Sequence, residues 1–98
     1  MPAFLYEFEW DTLKAQSNLA KHGVDFERAA TVFLDPLALT IPDDEHGEIE
    51  VRWITMGKDA ADRYVHTFEA LPDGCGRVRL ISARRPTKTE VRDYEEHR

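Results

Sequence analysis

Apolar and polar positions recur along this chain with two different periods, and each change of period marks an element. FLYEF (residues 4–8) is short, aromatic and bounded by Pro2 and Asp11, which predicts a strand. Asp11 is placed to cap a helix through TLKAQSNLAKH, and Gly23 to end it in left-handed backbone. A second helix starts at the cap Asp25, with Glu27 in its first turn. Its Phe26, Ala29, Ala30 and Phe33 fall at i, i+3, i+4 and i+7, one buried stripe, and Val24 before the cap is placed to staple onto Ala29. Leu34-Asp35-Pro36 ends it, because the residue before proline avoids the helical region.

A second, two-residue period takes over beyond that point. LALTI (37–41) predicts a short strand and PDDEHGE (42–48) a polar loop. EVRWITMG, RYVHTFEAL and RVRLISARR predict three strands joined through KDAAD and PDGCG, an antiparallel meander. TKTEVRDYEEH reads as a closing helix with a Thr87–Glu90 capping box straight after Pro86. The expected fold class is α+β, one domain over residues 1–98. It has an antiparallel sheet of about four strands, two N-terminal helices and one C-terminal helix.

Composition narrows the class. With 42% hydrophobic and 33% charged residues, the 98-residue chain has the balance of a soluble globular domain. Its longest apolar run, AATVFL, is far short of a membrane span, and the acidic start MPAFLYEFEW lacks the basic region of a signal peptide, so a cytoplasmic setting is expected. The single Cys75 excludes an internal disulfide and a cysteine-based zinc site. His22, His46, His66 and His97 are scattered without metal-ligand spacing, and there is no Walker loop, GxGxxG or GxSxG, so no metal or cofactor is expected.

Charge is uneven. The net is −6, but residues 1–50 hold three basic and eleven acidic side chains while residues 51–98 hold ten and eight. RVRLISARRPTK (77–88) carries five basic residues and no acid, a local patch suited to a phosphate, while the acidic half suits a basic protein partner.

Two clusters are candidates for chemistry. On the first helix Lys14, Asn18, Lys21 and His22 share one arc of roughly 100° by the 3.6-residue period. Cations at a helix C-terminus also serve as simple dipole partners. In the last strand, alternation puts Val78, Leu80, Ser82 and Arg84 on one face and Arg79, Ile81 and Ala83 on the other. Arg84, in register with apolar neighbours, needs an anionic partner: a carboxylate of this chain such as Glu7 or Glu9, or a phosphate. Arg52, Arg63, His66 and Tyr94 are further polar positions. His66 reads most simply as a half-buried strand residue, and Tyr94 as an anchor for the last helix.

Taken together, FEWD…K…N..KHGVDFERAATVFLDPLAL, then RW.T.G, then RLISARRPTKTEVRDYEE resemble the BrnT family over about residues 7–96. These are small toxins of bacterial type II toxin–antitoxin systems. The motifs KHG, F..A..VF.D and ISAR..T..E...Y are specific as an ordered set. The resemblance implies a fold like that of RelE-type ribonuclease toxins, metal-independent cleavage of RNA and inhibition of translation. It implies a BrnA-type antitoxin with a ribbon-helix-helix DNA-binding region, which represses the operon with the toxin bound. Operator DNA is then reached only through the antitoxin. By position it carries over Lys21, His22, Arg52 and Arg84 as catalytic candidates, with Glu90 and Tyr94 in the last helix. Lys14, Arg79, Arg85, Lys88 and Tyr94 are the expected RNA contacts. Pro86 and the long EALPDGCG hairpin depart from the family pattern.

Metal-free RNA cleavage needs a base at the 2′-hydroxyl, cations on the phosphorane-like oxygens and an acid for the 5′-oxygen. Arg84, aided by Arg52 and Lys21, is expected to take the charge. His22 is the expected acid or base, because imidazole is the side-chain type that titrates nearest neutrality. Two other classes remain open: a catalytically inactive homologue acting as co-repressor with its antitoxin, and a purely structural partner protein.

Overall fold

The computed structural model describes residues 6–43, 51–72 and 76–96. Its elements run β1 (Glu7–Glu9), α1 (Thr12–His22), α2 (Phe26–Ala30), a 3₁₀ turn (Thr31–Leu34), β2 (Leu39–Pro42), β3 (Arg52–Lys58), β4 (Tyr64–Ala70), β5 (Arg77–Arg84) and α3 (Lys88–Glu96). The start of the predicted first strand, most of the 42–48 loop, Cys75, His46 and His97 lie outside the described residues.

The caps form as their residue types dictate. The Asp11 carboxylate accepts from the Lys14 amide at 3.0 Å, and Asp25 accepts from the Arg28 amide at 2.6 Å. Gly23 closes α1 at φ 69° with its amide on Leu19 O. At α3 the Glu90 carboxylate accepts from the Thr87 amide at 2.8 Å, while the Glu90 amide reaches Thr87 Oγ1 at 3.2 Å. The second helix is shorter than the apolar stripe predicts, because its last turn tightens into the 3₁₀ form before Pro36.

The expected four-stranded antiparallel sheet is instead five-stranded and mixed, in the order β1-β5-β4-β3-β2. The meander β2 to β5 is antiparallel throughout, but β1 joins the outer edge of β5 in parallel, pairing Phe8 with Val78. Local periodicity marks β1 as a strand but carries no information on a partner seventy residues away.

A second correction concerns β5. The register between β4 and β5 shifts between Phe68 and Glu69, so that Phe68 faces Ser82 while Glu69 faces Leu80. The extra residue, Ile81, is a bulge, and it reverses the alternation beyond it. Val78 and Leu80 therefore share a face with Ala83, whereas Arg84 shares the opposite face with Arg79 and Ser82.

The face bearing Val78, Leu80, Ala83 and Val65 packs beneath α1 and α2 with Val24, Phe26, Ala29, Ala30 and Val32. Phe8, Trp10, Ala15 and Phe33 close its margin. Full burial of a side chain such as Phe26 or Leu80 stabilises by about 1.5–3 kcal/mol.

Past β1 the outer edge of β5 has no strand beside it among the described residues, and Asn18 of α1 takes that place. Its Oδ1 accepts from the Ala83 amide at 3.0 Å and from Ser82 Oγ at 3.2 Å. Its Nδ2 donates to Ala83 O at 2.7 Å and to Val24 O at 3.0 Å. Both donors and both acceptor positions of the amide are filled. Asn18 thus leaves the polar stripe predicted for α1 and becomes the buried joint between helix and sheet.

Candidate nucleic-acid interface

The face of the sheet opposite α1 and α2 carries the basic residues in rows. Arg52 pairs with Ala70, and Ala70 with Arg79; Ile54 pairs with Phe68, and Phe68 with Ser82; Met56 pairs with His66, and His66 with Arg84. Arg52, Arg79 and Arg84 therefore look out from one face, with the Phe68 ring between the rows. The bulge at Ile81 makes this grouping possible by turning Arg84 away from the core.

Arg84 sits at one end of that face. Its Nη1 and Nη2 donate to Glu90 Oε1 and Oε2 at 2.8 and 2.9 Å, a bidentate pair, and its guanidinium lies 5.7 Å from the Phe68 centroid. The bonds to Glu90 raise the guanidinium above its ordinary pKa, with burial opposing. Glu90 is held down at about 2, first by the Arg84 hydrogen bonds, against its own burial, with the Thr87 amide and nearby positive charge adding to the effect.

His66 completes the group. Its Nε2 lies 3.1 Å from Glu90 Oε2, and its ring is 4.9 Å from that of Phe68. Burial and then Arg84 push the imidazole below its ordinary value, and Glu90 and Asp43 only partly offset them. A neutral ring protonated at Nε2 donates to Glu90 and leaves Nδ1 buried with no hydrogen-bond partner among the described residues. Sequence spacing treats His66 as an ordinary strand residue. Only the cross-strand register, His66 against Arg84, reveals its place beside the arginine.

Two concavities flank this row. One, of about 490 Å³, lies between α3 and the β2–β3 edge, lined by Ile41, Ile54, Met56, His66, Glu90 and Asp93 among others. The other, of about 230 Å³, is formed by Asp43, Arg52, Phe68, Ile81 and Ser82. Arg52 lines the second. Its Nε is buried without a hydrogen-bond partner among the described residues. Counted from Ala70 to His66, its row is four residues from that of Arg84, about 13 Å along the strands.

Of the other expected site residues, Lys14, Lys21 and His22 are exposed on α1, outside this face. Asn18, one turn before Lys21, binds Ala83 beside Arg84, so the KHG end of α1 lies toward the same end of β5. Arg85, just past β5, and Lys88, at the start of α3, are exposed. Tyr94 does not present a stacking surface. It is 1% exposed, its hydroxyl donates to Asp35 Oδ2 at 2.7 Å, and its ring meets Tyr64 edge-on at 5.6 Å. The anchoring reading of Tyr94 is the one its burial supports. Among the described residues no group of three or more His, Cys, Asp or Glu side chains is placed to hold a metal ion, and no helix is long and apolar enough to cross a membrane.

The architecture is that of a small α+β domain with an arginine face, and comparison gives the family. The family model described as the ribonuclease toxin, BrnT, of type II toxin–antitoxin systems matches residues 10–90, and the chain belongs to that family. Its fold is similar to that in the 1.1 Å crystal structure of the Brucella abortus ribonuclease toxin, BrnT, with a TM-score of 0.64. That match has 24% identity and covers 85% of this chain and 99% of the other. A search of curated proteins finds no match.

Proposed function

We propose that this chain is a metal-independent endoribonuclease of the cytoplasm that inhibits translation. In this reading a BrnA-type ribbon-helix-helix antitoxin neutralises it and represses their shared operon together with it. Membership of a ribonuclease toxin family supports the activity. The observation that carries the site is the convergence of Arg84, Phe68, His66 and Glu90 on the open face of the sheet.

In the reaction the 2′-oxygen gives up its proton and bonds to phosphorus, the P–O5′ bond breaks, and the 5′-oxygen takes a proton, leaving a 2′,3′-cyclic phosphate. Arg84 binds the non-bridging oxygens where charge develops, exchanging Glu90 for phosphate. Arg52 and Arg79 hold the strand further along the same face. Lys21 and His22 approach from the α1 end, His22 as the proton-transfer group and Lys21 as a fixed cation, with Lys14, Arg85 and Lys88 as outer phosphate contacts.

The test is incubation of RNA with purified protein in EDTA, beside Arg84→Ala, with analysis of the product ends. Cyclic or 3′-phosphate ends from the wild type alone are the expected result, and intact RNA under conditions that arrest growth on expression would refute cleavage by the isolated protein. A second reading, an inactive co-repressor, is favoured by one observation: Glu90 already neutralises Arg84. That reading predicts operator binding with the antitoxin and no growth arrest.

A further inference from the structure

At the end of the sheet where β5 finishes and β4 begins lies a cleft of about 380 Å³, lined by Arg28, Arg63, Arg85, Tyr64, Pro86 and Val91. It brings together three guanidinium groups from α2, the β3–β4 turn and the strand end, a convergence that no local spacing announces. We infer that this cleft is a second phosphate site, which takes a backbone phosphate of the RNA strand next to the one engaged by Arg84. The inference rests on the ribonuclease reading and extends it from Arg85 to Arg28 and Arg63, which that reading does not use.

The arginines are held by Asp59, whose side chain is 1% exposed. Its Oδ2 takes the Nε of Arg28 and, at 3.3 Å, the Nε of Arg63. Its Oδ1 accepts from the amides of Ala61 and Arg63 at 2.8 and 3.0 Å. Arg28 is thus held through a hydrogen bond at Nε and Arg63 through an ion pair at Nε, and their Nη donors make no hydrogen bond among the described residues. Arg85 adds a third guanidinium without a side-chain hydrogen bond among the described residues. Three cations against the carboxylates of Asp59 and Glu95 leave a surplus of one positive charge at the cleft. Tyr64, Pro86 and Val91 supply walls of low polarity, which strengthen attraction to an anion. Glu95 accepts from the Tyr64 hydroxyl at 2.8 Å beside the cleft.

Placement relative to Arg84 makes the anion a neighbouring phosphate. Arg84 and Arg85 are consecutive, so in extended chain their side chains diverge to opposite sides of the strand end. Arg84 Nη1 also donates to Arg85 O at 3.0 Å, which fixes the two positions to each other. An RNA strand crossing the end of β5 meets one guanidinium on each side of it. A planar fork with its terminal donors open is suited to phosphate, and preorganisation by a buried carboxylate lowers the ordering cost of binding.

The test uses the full chain and a 2′-O-methyl RNA octamer, which has no 2′-hydroxyl to cleave, with affinity read by fluorescence anisotropy across salt concentrations. Arg63→Gln is expected to weaken binding about 3- to 10-fold at low salt and to reduce the slope of log K against log salt by about 0.7, one phosphate contact on a single strand. Arg63→Lys, which keeps the charge, is expected to retain the slope. Equal slopes and affinities for wild type and Arg63→Gln would overturn the second site while leaving the ribonuclease reading standing. Failure of the wild type itself to bind the octamer would overturn both. Arg63 has a side chain 58% exposed, and an unchanged thermal transition for the glutamine variant shows that its lost slope is not a loss of fold.

Discussion

Glu90 grips Arg84 with both carboxylate oxygens, at 2.8 and 2.9 Å, from the first turn of the helix that follows the strand Arg84 ends. One glutamate therefore caps α3, pairs the arginine and contacts His66. Its carboxyl falls from the usual 4.5 to about 2 in the folded protein. A lowered folded-state pKa gives stability that is present above the unfolded value and lost as pH falls through the folded one. Wild type should thus lose about 2–3 kcal/mol between pH 4.5 and 2 through this group. Glu90→Gln should lack that acid-limb slope in urea unfolding measured as a function of pH; an unchanged slope would reject the assignment.

Glu69 has the opposite sign. It is buried on the helix-covered side of β4, where Thr55 and Thr67 hydroxyls donate to it at 2.5 and 2.6 Å. Burial raises its carboxyl from 4.5 to about 7, and the threonine bonds only partly counter this. A raised folded-state pKa gives stability that is complete below the unfolded value and lost as pH rises through the folded one, here between about pH 4.5 and 7. Glu69→Gln, whose amide still bonds the threonines, is expected to be more stable than wild type at pH 8 by about 3 kcal/mol, and equal to it near pH 4. Thermal unfolding at the two pH values decides this.

Asn18 shows what a helical period conceals. Its spacing from Lys14 and Lys21 places it in a polar arc, yet its amide fills the edge of β5 that β1 leaves open. Asn18→Ala strands the Ala83 amide and carbonyl, and is expected to cost about 2–4 kcal/mol in urea unfolding. Asn18→Asp keeps the acceptors, loses both donors and buries a charge, so it should cost at least as much. A loss under 1 kcal/mol for either variant would argue against the joint.

Local chemistry made most of the elements legible. Asp11, Gly23, Asp25 and the Thr87–Glu90 pair announce the helix ends, and alternation in β3 and β4 announces the strands. The site was less legible, because it depends on a single inserted residue. Alternation from Val78 assigns Arg84 to the apolar face; the bulge at Ile81 assigns it to the face of Arg79 and Arg52. Nothing within RVRLISARR distinguishes the two, since the shift is defined only against Phe68 and Glu69 of the neighbouring strand. The Arg84–Glu90 pair is six residues apart and was open to a local reading, but His66 enters only through cross-strand register. The parallel seat of β1 and the Arg28–Asp59–Arg63 cluster are likewise long-range.

Asp35 ties α3 to the sheet. Its Oδ2 accepts from the Tyr94 hydroxyl at 2.7 Å and the Lys58 amide at 2.9 Å, while its Oδ1 accepts from the Leu37 amide. Gly57 passes so close that a Cβ there would lie 2.9 Å from Asp35 Oδ2 and 3.1 Å from Ala38 Cβ and Val32 Cγ1. Gly57→Ala should destabilise by about 1–3 kcal/mol, and Tyr94→Phe by about 1 kcal/mol, in thermal or urea unfolding. A Gly57→Ala variant as stable as wild type would show that β3 and the 3₁₀ turn are not locked at this point.

Arg52 and Arg84 share a face but stand in separate rows. Their rows are about 13 Å apart along the strands, their strands are separated by β4, and the Phe68 ring lies between. The proposed cleavage therefore divides their roles. An arginine on the reacting phosphate acts where charge develops and its loss falls on kcat, whereas one on a distant phosphate binds ground and transition state alike and its loss falls on KM. Arg84→Ala is expected to lower kcat by about 10²–10³, the effect of removing one preorganised donor from a developing oxyanion. Arg52→Ala should act chiefly by raising KM, with a smaller dependence of KM on salt than wild type. Steady-state cleavage of an oligoribonucleotide by the two variants separates these roles. A fall in kcat for Arg52→Ala matching that for Arg84→Ala would place both guanidinium groups at one phosphate, and would require the face to close by several ångströms on binding RNA.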